Sequence, residues 1–214
     1  MTRNKEHRVG IFIDVQNLYH SAKNLFQSRV NYKELVKDVT AGRKLIRVIG
    51  YVVKTETTEG ESAFFDALTK AGVELRVKDI QIFQSGAKKA DWDVGMAVDA
   101  IRMADSFDAI VLVTGDGDFC PLVEYLKWGL GKTVEVAAFS RSTSSKLKEV
   151  ADTFVTLDDF PAVILGAGRV RRTTARTSAK RAGMPVSPEL QQGEPVPASD
   201  ATTTTPEDRE TYGE

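Results

Sequence analysis

The chain has very few residues that form disulfide bonds or bind soft metals. Cys120 is the single cysteine among 214 residues, and His7 and His20 are the only histidines. One cysteine excludes an internal disulfide and a cysteine-based zinc site, and two histidines argue against a histidine-rich metal site. Candidate site residues must therefore be sought among the side chains that carry oxygen.

Long apolar runs and a large net charge are also absent. No segment approaches the length of a membrane span, and residues 1–8 are polar with no signal-peptide core behind them. We therefore expect a protein of the reducing cytoplasm that has no membrane partner. The 29 basic and 30 acidic residues leave a formal net charge of -1, so overall charge neither favours nor excludes a polyanionic partner.

Short apolar runs alternate with segments of helical spacing. The runs cover residues 9–15, 45–53, 73–77, 109–114, 133–139 and 153–157, and the helical segments cover 17–26, 32–39, 62–70, 93–104, 121–128 and 144–150. This alternation predicts an α/β fold with a mostly parallel sheet, right-handed crossovers and helices on both faces. In the clearest helix, the spacing of Val94, Ala97, Val98 and Ile101 predicts the face that packs inward.

The composition changes after residue 165. Threonine, serine, proline and charge dominate 166–214, with basic residues first and acidic residues later. Such a segment buries too little apolar surface to fold alone, so we expect a flexible N-terminus at 1–8, one domain at 9–165 and a disordered tail at 166–214. The basic half of the tail could bind nucleic acid through charge alone; an inert linker is an equally weighted alternative.

Two predicted strands end in an aspartate. Asp14 ends the first run and precedes Asn17 by three residues, and Asp116 and Asp118 follow the fourth run. Ligands of parallel sheets bind beyond the carboxyl ends of the strands, and clustered carboxylates there predict a site for Mg²⁺ or Mn²⁺. Such an ion polarises a phosphate and activates a water without a side-chain nucleophile. A Gly-Asp turn is the alternative explanation of Asp116 and Asp118.

A third group of acids lies around the start of the helical segment at 93–104. Asp91 and Asp93 directly precede its apolar residues, and spacing alone leaves open which of them binds metal. Helix capping is the alternative role for either residue. Asp99 lies six residues beyond Asp93 and points away from it on a helix, so we expect it to support the metal-site loops rather than to bind the ion.

Two further segments are candidates for contact with substrate phosphates. Lys88 and Lys89 precede the acids of the third group, although lysines in loops are more often solvated. Ser140, Ser142 and Thr143 follow a strand and precede a helix. A helix N-terminus there could bind phosphate, and capping of the same helix is the favoured alternative.

Taken together, three motifs resemble the NYN domain of LabA-like proteins, which belongs to the PIN-like nuclease superfamily. They are FIDVQNL at 12–18, KADWDVGMAVD at 89–99 and TGDGDF at 114–119, in the order and rough spacing of that family. The resemblance covers about 9–160 and implies a three-layer α/β/α sandwich with a Mg²⁺-dependent ribonuclease site. By motif, it implies an orienting role for Asn17, prefers Asp93 to Asp91, and implies metal ligation by Asp14, Asp93, Asp116 and Asp118.

Other enzyme classes fit the sequence less well. Asp116-Gly117-Asp118 resembles the Asp-x-Asp motif of haloacid-dehalogenase phosphatases, but in that family the motif follows the first strand. A dinucleotide-binding fold needs a glycine-rich turn after the first strand, and neither that turn nor a P-loop is present.

The sequence thus predicts a metal-dependent ribonuclease that cuts RNA internally. Its main alternative is a catalytically weak or inactive NYN domain that binds RNA or a protein partner. RNA is the expected partner, while DNA cleavage and homo-oligomer formation stay open.

Overall fold

The structure is a computed structural model that describes residues 4–54, 59–79, 81–82, 88–89 and 91–165. Its strands are β1 (Arg8–Asp14), β2 (Lys44–Lys54), β3 (Glu74–Asp79), β4 (Gln81–Ile82), β5 (Lys88–Lys89), β6 (Ala109–Val113), β7 (Thr133–Ala138) and β8 (Thr153–Thr156). Its α-helices are α1 (Val15–Phe26), α2 (Tyr32–Thr40), α3 (Glu59–Lys70), α4 (Asp93–Met103), α5 (Cys120–Glu124) and α6 (Ser145–Val150). A π-helical turn, Tyr125–Gly129, continues α5. The predicted tail at 166–214 lies outside the described residues.

Six strands form one sheet in the order β3-β2-β1-β6-β7-β8, and every neighbouring pair is parallel. From β1, strands β2 and β3 follow in turn on one side of the sheet. Strands β6, β7 and β8 then follow in turn on the other side of β1. The order therefore reverses between β1 and β6, and a ligand crevice is expected beyond the carboxyl ends of these two strands. The predicted α/β fold with a mostly parallel sheet is confirmed.

Helices cover both faces of the sheet because side chains alternate along each buried strand. Ile11 of β1 belongs to a core with residues of α1, α2 and α3, including Leu35 and Leu68. Phe12, the next residue, belongs to a second core with residues of α4, α5 and α6, including Met96. Burying one such side chain contributes about 1.5–3 kcal/mol, so both faces stabilise the strand pair that carries the candidate site.

Helix α4 packs on a different face from the one predicted. Met96 and Ala100 are its buried residues, whereas Val94, Val98 and Ile101 are 74%, 46% and 39% exposed. The prediction that the valines and the isoleucine face inward was therefore wrong.

Contacts of Trp92 accompany this orientation of α4. The Trp92 ring lies against Gly95, where an added Cβ would be 2.6 Å from the indole carbon Cε3. The Trp92 indole N–H also donates to the Val52 carbonyl at 2.8 Å. Gly95 leaves room for the Trp92 ring, and the bond of that ring to Val52 of β2 ties the start of α4 to the sheet with Met96 and Ala100 buried.

No helix in the described part of the chain is long and apolar enough to cross a membrane.

Candidate metal centre

The carboxyl ends of β1 and β6 lie side by side. Asp14 is the last residue of β1, and Thr114 directly follows β6. Because Ile13 pairs with Val113 in parallel register, the residues that follow them emerge at the same edge of the sheet. Thr114 is fully buried, and its hydroxyl donates a hydrogen bond of 3.2 Å to Asp14 Oδ2.

Asp14 and Asn17 connect the start of α1 to the loop after β6. Asp14 is the N-cap of α1, and its Oδ1 accepts from the Asn17 backbone N–H at 3.0 Å. The Asn17 side-chain oxygen in turn accepts from the Gly115 backbone N–H at 3.0 Å. Both residues therefore hold the loop in place, in addition to any contact with a ligand.

The loop after β6 is held in a tight conformation by its own polar groups. Asp116 Oδ1 accepts from the Asp118 backbone N–H at 3.0 Å, and the Asp116 N–H donates to Thr114 Oγ1 at 3.2 Å. An added Cβ on Gly115 would lie 2.6 Å from the carbonyl oxygen of Ser142. Since that oxygen belongs to the backbone, rotation of a side chain cannot relieve the clash, and glycine is required here.

Three carboxylates from two elements meet beside this loop, and we call them the three-acid group. Each of Asp93, Asp116 and Asp118 offers an oxygen within 4.8 Å of the others. Asp93 and Asp116 are half-buried, and Asp118 is exposed. A group of carboxylates without a thiol or imidazole matches the hard oxygen ligands that Mg²⁺ and Mn²⁺ prefer, so the residues fit such an ion.

Asp14 lies outside the three-acid group but is coupled to it electrostatically. Burial is the largest effect, and it raises the pKa of Asp14 to about 6. The negative charges of Asp93 and Asp116 act in the same direction, whereas hydrogen bonds from Asn17 and Thr114 lower the pKa. The raised pKa thus reflects burial first, with a smaller contribution from neighbouring negative charge that a cation would offset.

A cavity of about 350 Å³ opens above these acids. Asp14, Asn17, Asp93 and Asp116 line it, together with a polar face of α1 and the ring of Tyr51. The α1 face consists of residues at helical spacing, namely Asn17, His20, Ser21 and Asn24.

Asp91 lines the same cavity but is not part of the three-acid group. Its backbone carbonyl accepts from Lys78 Nζ at 3.2 Å. Because Asp93 is the residue that comes close to Asp116 and Asp118, the geometry favours Asp93 over Asp91 as a metal ligand.

Asp99 is not part of the three-acid group, but it contacts Tyr51, which lines the cavity. Its Oδ2 accepts from the hydroxyl of buried Tyr51 at 3.1 Å, and it forms ion pairs with Arg76 at 3.5 Å and Arg102 at 3.7 Å. Burial, followed by the charge of Asp99, raises the pKa of Tyr51. The contact holds the Tyr51 hydroxyl at the base of the cavity.

The residues considered for phosphate contact are less closely associated with the cavity. Only Ser142 of the three hydroxyl residues lines it. The hydroxyls of Ser142 and Thr143 donate to the Phe139 carbonyl at 3.2 and 2.7 Å, and Ser140 accepts from Lys148. The N-cap of helix α6 is Ser144, which makes no side-chain capping bond, rather than one of the three residues for which capping was predicted. The side chains of Lys88 and Lys89 lie outside the described part of the structure.

Sequence reasoning missed three contributors to the site. Thr114 appeared only as part of a motif, although it bonds both Asp14 and Asp116. The polar face of α1 could have been found, because Ser21 and Asn24 follow Asn17 at intervals of one helical turn. Tyr51 lies in an apolar strand, and nothing in its local sequence marks it as a cavity residue.

Comparisons with known proteins agree with this architecture. A family model described as the NYN domain matches residues 8–158. The protein "Low amplitude and bright protein LabA" of Synechococcus elongatus is 24% identical over 168 residues, which cover 73% of this chain and 87% of that protein. A crystal structure of a protein of unknown function from Vibrio parahaemolyticus is 32% identical, with a TM-score of 0.70, and the match covers 77% of this chain and 100% of that one.

Proposed function

Because the chain belongs to the NYN domain family of the PIN-like nuclease superfamily, we propose that it is a divalent-metal-dependent ribonuclease that cuts RNA internally. The observation that carries the proposal is the three-acid group, whose carboxylate oxygens lie within 4.8 Å of one another. The group lies at the edge of the sheet where the strand order reverses, which is where ligands of this class of fold bind.

The ion would be Mg²⁺ or Mn²⁺, held by Asp93, Asp116 and Asp118 with Asp14 as a fourth carboxylate. When bound there, it would polarise a phosphodiester and lower the pKa of a coordinated water. The carboxylates of the three-acid group lie within 4.8 Å of one another, and a bound divalent cation would offset their mutual repulsion.

The remaining residues position these acids. Thr114 donates to the Asp14 carboxylate and accepts from the Asp116 backbone N–H, so one buried hydroxyl links the end of β1 to the loop after β6. Asn17 holds the Gly115 backbone at 3.0 Å and thereby keeps the loop after β6 beside α1. Pre-set ligand positions of this kind reduce the reorganisation needed when metal and substrate bind.

Cleavage assays with end-labelled RNA test the proposal. Wild type should cut single-stranded or structured RNA in Mn²⁺ or Mg²⁺, should stop cutting in EDTA, and should lose activity in Asp14→Asn and Asp116→Asn. The matched control is Asp105→Asn, because Asp105 is fully exposed and weakly paired with Lys132 at 3.9 Å; its activity should be unchanged. A single-stranded DNA of the same sequence tests the choice of nucleic acid.

Metal binding can be measured separately from cleavage. Mn²⁺ should raise the melting temperature of wild type and of Asp105→Asn, because a ligand that binds only the folded state stabilises it. The shift should be lost in Asp116→Asn. Purified wild type that neither cuts RNA nor melts higher with Mn²⁺ would refute the proposal.

A second candidate function is a catalytically weak NYN domain that acts by binding a partner. An apolar groove between α4 and α5, which includes Val94, Ile101 and Tyr125, adjoins Asp93 and Asp118. The exposed apolar residues of this groove favour a protein partner. This alternative predicts no metal-dependent cleavage, and weaker partner binding in Val94→Lys with an intact metal response.

A further inference from the structure

A second cavity, of about 480 Å³, adjoins the metal centre on the side of α3, and we call it the aromatic cavity. Gln16 and His20 of α1 line both cavities, so the two spaces meet along one helix. Tyr19, Phe64 and Phe65 supply the rings that line the aromatic cavity.

The rings of the aromatic cavity are held by one another and remain partly accessible. The Tyr19 and Phe64 ring centroids are 6.3 Å apart with an interplanar angle of 59°, and Phe64 also contacts the buried Tyr32 at 5.9 Å. Tyr19 is 36% exposed. Accessible aromatic faces beside a nuclease centre are suited to stacking unpaired nucleobases.

Two residues of opposite charge, Arg29 and Glu61, also line the aromatic cavity. Arg29 lines it and also lines a third cavity, of about 600 Å³, with Tyr19 and Lys23. Lys23 Nζ lies 5.8 Å from the centroid of the Tyr19 ring. Tyr19 therefore lines both the aromatic cavity and the third cavity, and the third cavity carries two cations, Lys23 on α1 and Arg29 after its end.

We propose that the aromatic cavity binds a nucleobase of single-stranded RNA next to the scissile phosphate, with Tyr19 as the stacking residue. Lys23 and Arg29 would neutralise the phosphates that follow that base. The inference rests on the proposed function and adds to it the class of substrate and the path of the strand along α1. Paired bases are stacked within a helix and cannot reach the ring, so a single strand is preferred to a duplex.

Fluorescence anisotropy on the full chain in EDTA, where the RNA stays intact, tests the stacking residue. The probe is a labelled single-stranded RNA of about 12 nucleotides, compared with its duplex. Tyr19→Ala should raise the Kd for the single strand by about tenfold, Tyr19→Trp should restore it, and binding of the duplex should be unchanged.

The matched control is Trp128→Ala. Trp128 is also exposed on a helical turn with a lysine 5.7 Å from its ring, but it lies outside the three cavities along α1. Its removal should leave the Kd unchanged. An unchanged Kd in Tyr19→Ala, at both about 50 and about 200 mM salt, would overturn the inference.

The salt dependence of binding tests the two cations. Lys23→Ala and Arg29→Ala should each reduce the slope of log K against log salt by about 0.7, the value for one phosphate contact of a single strand. Lys33→Ala, which removes an exposed lysine of α2, should keep the wild-type slope. If both Lys23→Ala and Arg29→Ala keep the wild-type slope, these two residues do not contact the RNA phosphates.

Cleavage measured in parallel separates this inference from the proposed function. If wild type cuts RNA in Mn²⁺ and Tyr19→Ala has the wild-type Kd and KM, the ribonuclease proposal is supported and the proposed nucleobase site at Tyr19 is wrong. If wild type does not cut RNA but Tyr19→Ala binds the single strand more weakly, the proposed nucleobase site is supported and the ribonuclease proposal is wrong. Failure of wild type to bind RNA contradicts both.

Discussion

At the scale of single residues, the candidate centre includes buried polar groups other than the proposed metal ligands. Thr114 has no exposure to solvent, yet it bonds the carboxylate of Asp14 and the backbone of Asp116. Such partners fix the orientation of ligands, and their loss commonly weakens metal binding by about 10–100-fold.

Thr114→Val should therefore impair both stability and metal binding. The substitution keeps the shape but leaves a buried N–H and a carboxylate oxygen without their partner, which costs about 1–3 kcal/mol. Urea denaturation should show this loss, and a Mn²⁺ titration followed by melting temperature should show weaker binding. Thr69→Val is the control, since Thr69 is exposed on α3 and should change stability by less than about 0.5 kcal/mol. Equal effects of the two variants would contradict the role of Thr114.

A second prediction at this scale concerns pH. The Arg8 guanidinium and backbone N–H bond Asp108 and hold the pKa of that carboxyl below its ordinary value. Because the folded-state pKa is depressed, Asp108 stabilises the fold above the unfolded-state pKa of about 3.9 and loses this effect as the pH falls below it.

Urea midpoints of wild type and Asp108→Asn from acid to neutral pH test this sign. The wild type should be the more stable protein near neutrality, and the difference should shrink below about pH 4 because protonated aspartate resembles asparagine. The other carboxyl groups titrate in both proteins and cancel in the comparison. A difference that grows on acidification would show that the sign is wrong.

At the scale of elements, α4 shows how packing selects among apolar residues. The helix carries more apolar residues than one face can bury, and the close approach of Trp92 to Gly95 decides which face meets the sheet. Hydrophobic spacing predicted the helix correctly but not its rotation. The same rotation places Asp93 beside Asp116 and Asp118, so packing of the helix and assembly of the three-acid group are linked.

Substitutions on the two faces of α4 should differ strongly in stability. Met96→Ala removes a fully buried side chain and should cost about 2–5 kcal/mol. Val98→Ala removes a side chain that is 46% exposed, and its cost should be below about 1 kcal/mol. Chemical denaturation measures both values, and a larger cost for Val98→Ala would support the face predicted from the sequence.

At the scale of the whole molecule, a buried ion pair joins distant parts of the described chain. Arg43 precedes β2 and donates to both carboxylate oxygens of Glu135 in β7, at 2.6 and 3.0 Å. Strands β1 and β6 lie between β2 and β7 in the sheet. The Arg43 and Glu135 side chains are 1% and 2% exposed, and Arg43 also donates to the carbonyls of Val39 and Thr40.

Removing one partner of this pair should be costly. Glu135→Gln leaves a buried guanidinium without a counter-charge, and we expect a loss of about 3–5 kcal/mol in the free energy of unfolding. Glu74→Gln is the control, because the Arg47–Glu74 pair is about half exposed, with side chains 40% and 51% exposed, and should cost less than about 1 kcal/mol. Similar losses in both variants would contradict the importance of burial.

The sequence by itself determined the six strands of the parallel sheet, the helices between them, and the edge at which Asp14 and Asp116 meet, but not the short antiparallel pair β4 and β5. These features follow from local periodicity and from rules of chain connection that hold for any sheet of this kind. The resemblance of three short motifs to one family was likewise present in the sequence and agrees with the family match over residues 8–158.

Only the tertiary structure decided the rotation of α4, the close approach of Asp93 to Asp116 and Asp118, the burial of Thr114 and Tyr51, and the partnership of Arg43 with Glu135. Each depends on which atoms come close after the layers pack, and residues 92 positions apart in the chain leave no local pattern that links them. Tertiary packing also brings the aromatic cavity beside the acids, because α1 and α3 meet only when both cover the same face of the sheet.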